Sequence, residues 1–363
     1  MARACIVGTG MFLPGDPITN DDMARLVGPL PDDILEGIQV QTRHWAVDPA
    51  TGEHRFANSE MASEAARVAL GRADVEVAEI DLIVSSTASP EFLLPPTATL
   101  IQERLGIRSC AAVDIRSGCA GFVEALDLAR MYVERGDHTT ALVVGSEMIS
   151  PLLVPVFRGR DSLRIRMRER MNPYNFGDGA GAVIVRAGES GGIIGSAIGS
   201  IGGEKTPGMR IVGAGTHAPI HEQLGAQRLV DLQVDVVESG RFTPELLMTS
   251  LTAILGGCGM KAGDIDVCLI PEGNAGYMLD EFEGTDLDTS EWDVIRPHVV
   301  ENLALVGATG SAAVPLALDH AVTTGAIERG DNVMLDALET SKWKYAGIVM
   351  EWVMPTVAAG GVA

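Results

Sequence analysis

The sequence predicts an α/β protein built from two repeating halves, and three observations carry that prediction. Short apolar runs bounded by glycine or charge alternate with longer helical patterns. The order of runs in the first half recurs in the second. No low-complexity linker separates them, so the 363 residues are expected to share one core. Sheets covered by helices follow from such alternation.

Taken in chain order, Cys5–Val7 is the first predicted strand. The Gly8-Thr9-Gly10 triplet after it lacks the third glycine of a dinucleotide fingerprint, and Pro14 stands where a helix would open. A tight turn is expected there instead. Ser63–Leu70 reads as a helix, followed by Gly71 and the strand run Glu79-Ile80-Asp81-Leu82-Ile83-Val84. Ala111–Ile115 is another strand, Phe122–Val133 an apolar helix and Thr140–Val144 a buried strand. Ser150–Asn175 is expected to be a long irregular insertion, and Ala182–Val185 a strand. The boundary near Arg186–Gly192 gives halves of residues 1–186 and 187–363.

The second half repeats this grammar. Leu246–Leu255 is predicted helical, followed by Gly256, Gly257 and the run Asp264-Ile265-Asp266-Val267-Cys268-Leu269. Ile80 and Asp81 match Ile265 and Asp266 at one common spacing. Further on, Glu134-Arg135-Gly136-Asp137 recurs as Glu328-Arg329-Gly330-Asp331 at a somewhat longer spacing. The second copy lies between a predicted helix Val314–Ala326 and a strand Asn332–Leu335. Matches in this order point to duplication rather than to the common grammar of short charged turns.

With 27 Lys+Arg against 49 Asp+Glu the net charge is −22, which argues against nucleic acid or an anionic membrane as partner. Five cysteines without a CxxC pair fit neither a disulfide framework nor a zinc site. The N-terminus has no signal-peptide pattern, and the longest uncharged apolar stretch, Leu303 to Leu318, is short of a bilayer span. A reducing cytoplasm is the expected location.

One cysteine differs from the rest. Asp114-Ile115-Arg116-Ser117-Gly118-Cys119-Ala120-Gly121-Phe122 runs from a strand into a helix, with small residues on both sides of the thiol. A helix N-terminus stabilises thiolate over thiol, and its free N–H groups are able to hold an oxyanion. Cys5, Cys110, Cys258 and Cys268 lie in or beside apolar runs and read as inert core residues.

Ser117-Gly118-Cys119-Ala120-Gly121-Phe122 and Asn175-Phe176-Gly177-Asp178-Gly179-Ala180-Gly181-Ala182 resemble β-ketoacyl-ACP synthase III and its relatives in the thiolase superfamily. Gly307–Leu318 is similar to that family's C-terminal active-site segment, and Thr87–Pro96 to its active-site loop. The resemblance covers nearly the whole chain. It implies a duplicated, five-layered αβαβα fold, a homodimer and an acyl-cysteine intermediate at Cys119. No resident cofactor is implied; the acyl donor is the phosphopantetheine thioester of an acyl carrier protein, or coenzyme A.

Departures from the family pattern bear on the chemistry. The family's His-Gln-Ala-Asn motif aligns with Pro271-Glu272-Gly273-Asn274, which puts Glu272 where the histidine belongs. The later asparagine aligns with Ala308. Those two side chains donate hydrogen bonds to the thioester oxygen as malonyl loses CO₂; an ionised carboxylate and a methyl do not. Decarboxylative condensation is therefore expected to be disabled. Acyl transfer onto a hydroxyl or amine of a natural-product intermediate needs less, and the family contains members that do this. The alternatives are a condensing enzyme, or a non-catalytic partner subunit.

Glu272 is either a general base, a counter-ion for an ammonium acceptor such as an aminosugar or aminocyclitol, or a surface carboxylate in a turn. His298 is the best candidate for a replacement histidine, with His217 and His221 as pocket-lining alternatives. Glu339 stands in a loop where relatives are glycine-rich, able to orient a histidine or to leave a backbone N–H for the oxyanion. Pro31 and Leu35 take the places of the residues that clamp adenine in relatives, which favours a carrier-protein donor. Arg158, Arg160, Arg164, Arg166, Arg168 and Arg170 form a basic segment suited to an acidic carrier or a phosphate, or to the protein's own acids.

Overall fold

The computed structural model describes residues 2–226, 228–271, 282 and 285–355. Its first sheet holds strands Arg3–Phe12, Leu82–Ser86, Ala111–Ile115, Thr140–Glu147 and Gly179–Gly188. Counted in chain order within the half, these lie side by side as 1-5-4-2-3. The second sheet holds Gly192–Ser200, Val267–Leu269, Asn332–Glu339 and Lys344–Glu351 in the order 2-4-5-1, the same arrangement read from the other side. Its outer neighbour is a parallel bridge from Cys268 to Val299, where the first half has strand Ala111–Ile115.

The pairing senses repeat as well. Strands 1, 5 and 4 of each half are antiparallel neighbours, and strand 4 lies parallel to strand 2. Asp81 and Asp266 open the second strand of each half, and each donates its N–H to the first residue of the fourth strand, Thr140 or Asn332, at 3.1 Å. That hydrogen bond explains why the aspartates recur.

Alternation along the strands makes the layers. Leu82 and Val84 face inward with Val267, Leu269, Val333 and Leu335 of the other half. Between the two sheets lie helices Gly121–Arg135 and Ala313–Thr324, whose Phe122, Leu126, Ala317 and Leu318 are fully buried. Ile83 and Leu142 face outward onto helix Asn58–Ala73. Cys268, Met334 and Val349 face outward onto helix Val236–Cys258. Helix, sheet, helix pair, sheet and helix give the five layers of a thiolase-type fold, with one core spanning both halves.

Three expectations change. Gly8-Thr9-Gly10 is no turn but the middle of strand Arg3–Phe12. A Cβ at Gly8 would lie 2.4 Å from the Ala69 carbonyl oxygen, and one at Gly10 equally close to that of Ala65. The glycines let helix Asn58–Ala73 press its backbone onto the strand. Segment 150–175 is not irregular: helices Ser150–Phe157 and Met167–Asn175 occupy most of it. The recurring Glu-Arg-Gly-Asp string is not a structural equivalence. Helix Gly121–Arg135 includes Glu134 and Arg135, whereas Ala313–Thr324 ends at Gly325, before Glu328. The fourth strands begin at Thr140 and Asn332, so the string stands closer to its strand in the second half than in the first.

Buried acids make stability depend on pH, and Asp336 is one of them. Asp336 is fully buried, accepts one hydrogen bond from Ser250 Oγ at 2.6 Å, and leaves its other oxygen unpaired. Burial raises its carboxyl to about 7. Since the unfolded value lies near 4, the folded state holds this proton longer, and stability falls as pH rises from about 4 to 7. Asp336→Asn removes the titration. We expect it to raise unfolding free energy at pH 8 by about 2 kcal/mol and to flatten that decline. Urea melts from pH 4 to 8 check this; an unchanged pH slope contradicts it.

Candidate active site

Strand Ala111–Ile115 ends before Arg116, and the chain turns through Ser117 and Gly118 into helix Gly121–Arg135, with Gly121 N–H donating to Gly118 O at 2.9 Å. Glycine is required at 121, because a Cβ there would lie 1.9 Å from Ser86 Oγ. The turn brings Cys119 to the N-terminal end of a helix buried between the sheets. Cys119 is 5 % exposed and lines a cavity of about 250 Å³. Phe176, Met209, Arg210, Glu147 and Glu339 form much of the remaining wall.

The second half closes the site from the other side. Ser311 opens the turn ahead of helix Ala313–Thr324, and its hydroxyl lies 2.7 Å from Ser117 O, 2.8 Å from Gly118 O and 3.1 Å from Ser86 Oγ. One side chain thus ties both halves to the backbone just before the thiol. Gly145 makes room for this turn, since a Cβ there would lie 2.1 Å from Ser311 O.

Glu147 is buried and accepts from Ser311 N–H at 3.1 Å, Thr87 Oγ1 at 3.2 Å, Ala88 N–H at 3.2 Å and the Ser89 hydroxyl. Burial pushes its carboxyl up to about 7 against those donors. Glu339 is 3 % exposed. Its Oε2 accepts from Ala120 N–H at 3.3 Å, and Ser341 donates its hydroxyl to Oε1. Gly118 packs on this carboxylate, which a Cβ there would meet at 2.9 Å.

Ala308 lies on the wall of an adjoining cavity of about 430 Å³ that shares Phe176 and Met209 with the thiol cavity. Its N–H donates to Asn175 O at 2.8 Å and its carbonyl accepts from Gly177 N–H at 3.0 Å, which joins the two motif segments. Asp178 of the second motif is a structural knot: it is fully buried and accepts from Ala46, Ile149 and Ser150 N–H groups. Glu272 lies outside the described residues.

His298 does not join Cys119. Its Nδ1 lies 3.0 Å from Asp266 O, and Asp266 N–H bonds to Asn332 O at the opening of strand Asn332–Glu339. The thiol sits at that strand's far end, where Glu339 meets Ala120. Seven residues of strand at ~3.3 Å each separate the two ends by about 23 Å. His217 and His221 are exposed and also stand apart from the thiol cavity, whose described lining includes no histidine. Glu147 escaped sequence reasoning altogether. Extending the repeat along the fourth strands would have found it, since Glu147 and Glu339 close those strands at the same spacing at which Thr140 and Asn332 open them.

Comparison with known proteins follows the same outline. The model of the 3-oxoacyl-(acyl-carrier-protein) synthase III family matches residues 113–202, and the C-terminal model of that family matches residues 256–352. The chain is 34% identical over 332 residues to the β-ketoacyl-(acyl-carrier-protein) synthase III of Xanthomonas oryzae pv. oryzae, covering 92% of this chain and 93% of that one. Among solved structures, AbyA1, a tetronic acid condensing enzyme, superimposes with a TM-score of 0.79 at 26% identity, over 96% of this chain and 99% of the other. The synthase III of Pseudomonas aeruginosa PAO1 gives 0.77 at 25% identity, over 98% and 99%.

The Ser311 clamp has a measurable strength. Ser311→Ala leaves the buried Ser117 carbonyl short of a donor, while Gly118 O keeps Gly121 N–H, for an expected loss of about 1–3 kcal/mol. Urea denaturation at pH 7 reads it, and a stability equal to wild type contradicts the clamp.

Proposed function

The chain belongs to the 3-oxoacyl-(acyl-carrier-protein) synthase III family, and from that premise we propose that it is an acyltransferase that does not condense. Cys119 attacks the carbonyl of a carrier-protein or coenzyme A thioester; its S–C bond forms as the donor's C–S bond breaks, and the donor leaves as a thiol. An amine or hydroxyl of a natural-product intermediate then takes the acyl group as amide or ester, and the Cys119 thiol is restored. The carrying observation is a retained Cys119 at its helix N-terminus, with a methyl at position 308 on the wall of the adjoining cavity.

The names of the relatives favour a condensing enzyme. Ala308 argues against it, because a methyl donates no hydrogen bond to an enolate oxygen. The carrier-protein donor draws support from the basic segment. Arg166 pairs with Glu169, and Arg170 bonds the carbonyls of Ile165, Ser162 and Pro29. Among the described residues, Arg158, Arg160, Arg164 and Arg168 have no carboxylate within 4.0 Å and are exposed. A homodimer belongs to the same proposal: strand Ala111–Ile115 lies at the sheet edge, and Phe92, Leu93 and Leu94 are exposed nearby in the chain. No helix among the described residues is long and apolar enough to cross a membrane.

Two measurements test this reading. Cys119→Ala should lose acyl transfer while keeping the wild-type melting temperature, and malonyl thioesters should release CO₂ at background rates with either protein. Full transfer by the variant, or CO₂ release by wild type at the rate of transfer, sinks the proposal. In the same proposal Glu272 attracts a cationic acceptor, an aminosugar or aminocyclitol entering as ammonium. Glu272→Gln should raise KM for an amino acceptor by roughly tenfold, the effect of about 1.4 kcal/mol of lost pairing, and leave Cys119 acylation unchanged. Steady-state kinetics with amino and hydroxyl acceptors read this, and an unchanged KM makes Glu272 a bystander.

A further inference from the structure

Two buried carboxylates flank Cys119, and the internal duplication relates them. Glu147 and Glu339 are the last residues of the equivalent strands Thr140–Glu147 and Asn332–Glu339. The central helices of the two halves start at Gly121 and Ala313, which makes Ser311 the counterpart of Cys119. Each carboxylate accepts a backbone N–H from the turn opening one of these helices, Ser311 N–H for Glu147 and Ala120 N–H for Glu339.

Their surroundings then diverge. Glu147 is held by donors from four residues, Thr87, Ala88, Ser89 and Ser311, enough to occupy the four lone-pair sites of a carboxylate. Glu339 receives, among the described residues, only Ala120 N–H and the Ser341 hydroxyl. Two of its lone-pair sites are left on a wall of the thiol cavity. Ser341 lines the same cavity, so its hydroxyl is able to relay a proton to Glu339. The duplicated position is thus a clamp in the first half and an uncommitted carboxylate in the second.

We propose that Glu339 is the general base for the acceptor in the acyl-transfer step, an assignment that rests on the acyl-Cys119 reading above. The acceptor's nitrogen or oxygen attacks the thioester carbon and gives its proton to Glu339. The bond from the acyl carbon to Sγ breaks, the sulfur leaves with its electron pair, and it takes that proton back from Glu339. Thiol and carboxylate are both restored, and no external acid or oxidant enters. Glu339 has a second effect on the same thiol: its charge, and its hold on Ala120 N–H, oppose ionisation of Cys119.

Those two effects have opposite signs on substitution, which separates catalysis from scaffolding. Glu339→Gln keeps the size and an acceptor oxygen for Ala120 N–H but removes charge and basicity. Cys119 is alkylated with iodoacetamide between pH 6 and 8 and read by peptide mass. Separately, the enzyme is loaded with acetyl-pantetheine and the acetyl group is chased with ethanolamine in a single turnover. We expect the variant's alkylation at pH 7 to rise severalfold while its acetyl transfer falls by roughly 10²- to 10⁴-fold. Glu339→Asp, which keeps a carboxylate, should recover part of the transfer rate. Wild-type transfer by Glu339→Gln overturns the assignment, and so does a parallel fall of both rates, the mark of a structural role. If wild-type protein takes no acetyl group on Cys119, the acyltransfer reading fails first and the base goes with it.

Discussion

Two helices buried between two sheets constrain everything else in this protein. Helices Gly121–Arg135 and Ala313–Thr324 have no solvent face wide enough to relax onto, so their starts are fixed by what surrounds them. The close approaches at Gly121 and Gly145 are consequences of that burial, since larger residues would push the helix starts off the sheet. The Ser311 hydroxyl then shares its proton between the carbonyls of Ser117 and Gly118, the second of which also accepts from Gly121 N–H. The thiol of Cys119 inherits its position from this packing rather than from a flexible loop.

Much of the fold was legible because duplication writes the same physical requirement twice. Asp81 and Asp266 recur since each must start the second strand beside the fourth. Buried strands showed as apolar runs, and their order implied layers. The sequence misled where equal residues served unequal geometry. The shared Glu-Arg-Gly-Asp string sits inside one helix end and beyond the other, because the second helix is shorter. Gly8 and Gly10 looked like a turn, since a one-dimensional pattern does not show that a helix backbone lies against them.

The candidate site was legible at Cys119, whose small neighbours on a strand-to-helix turn are a local signal. It was not legible at His298. Spacing along the chain does not tell which end of a sheet a residue reaches, and this ring faces Asp266 at the end remote from the thiol. Glu147 is also invisible to local pattern, and Glu339, singled out through the family resemblance as a loop residue, proves to be the last residue of a strand. Only superposing the halves shows them as one position used in two ways. The carboxylates that line the thiol cavity of this synthase III-type scaffold are what the proposed acyl-transfer reading draws on.

That account turns on a covalent acyl group at one sulfur among five. Intact protein incubated with an octanoyl carrier-protein thioester, then digested and mapped by mass spectrometry, locates it directly. The account predicts one octanoyl adduct, on the peptide carrying Cys119, that disappears when an amino acceptor is added. An adduct on Cys5, Cys110, Cys258 or Cys268 instead, or none at all, would contradict it.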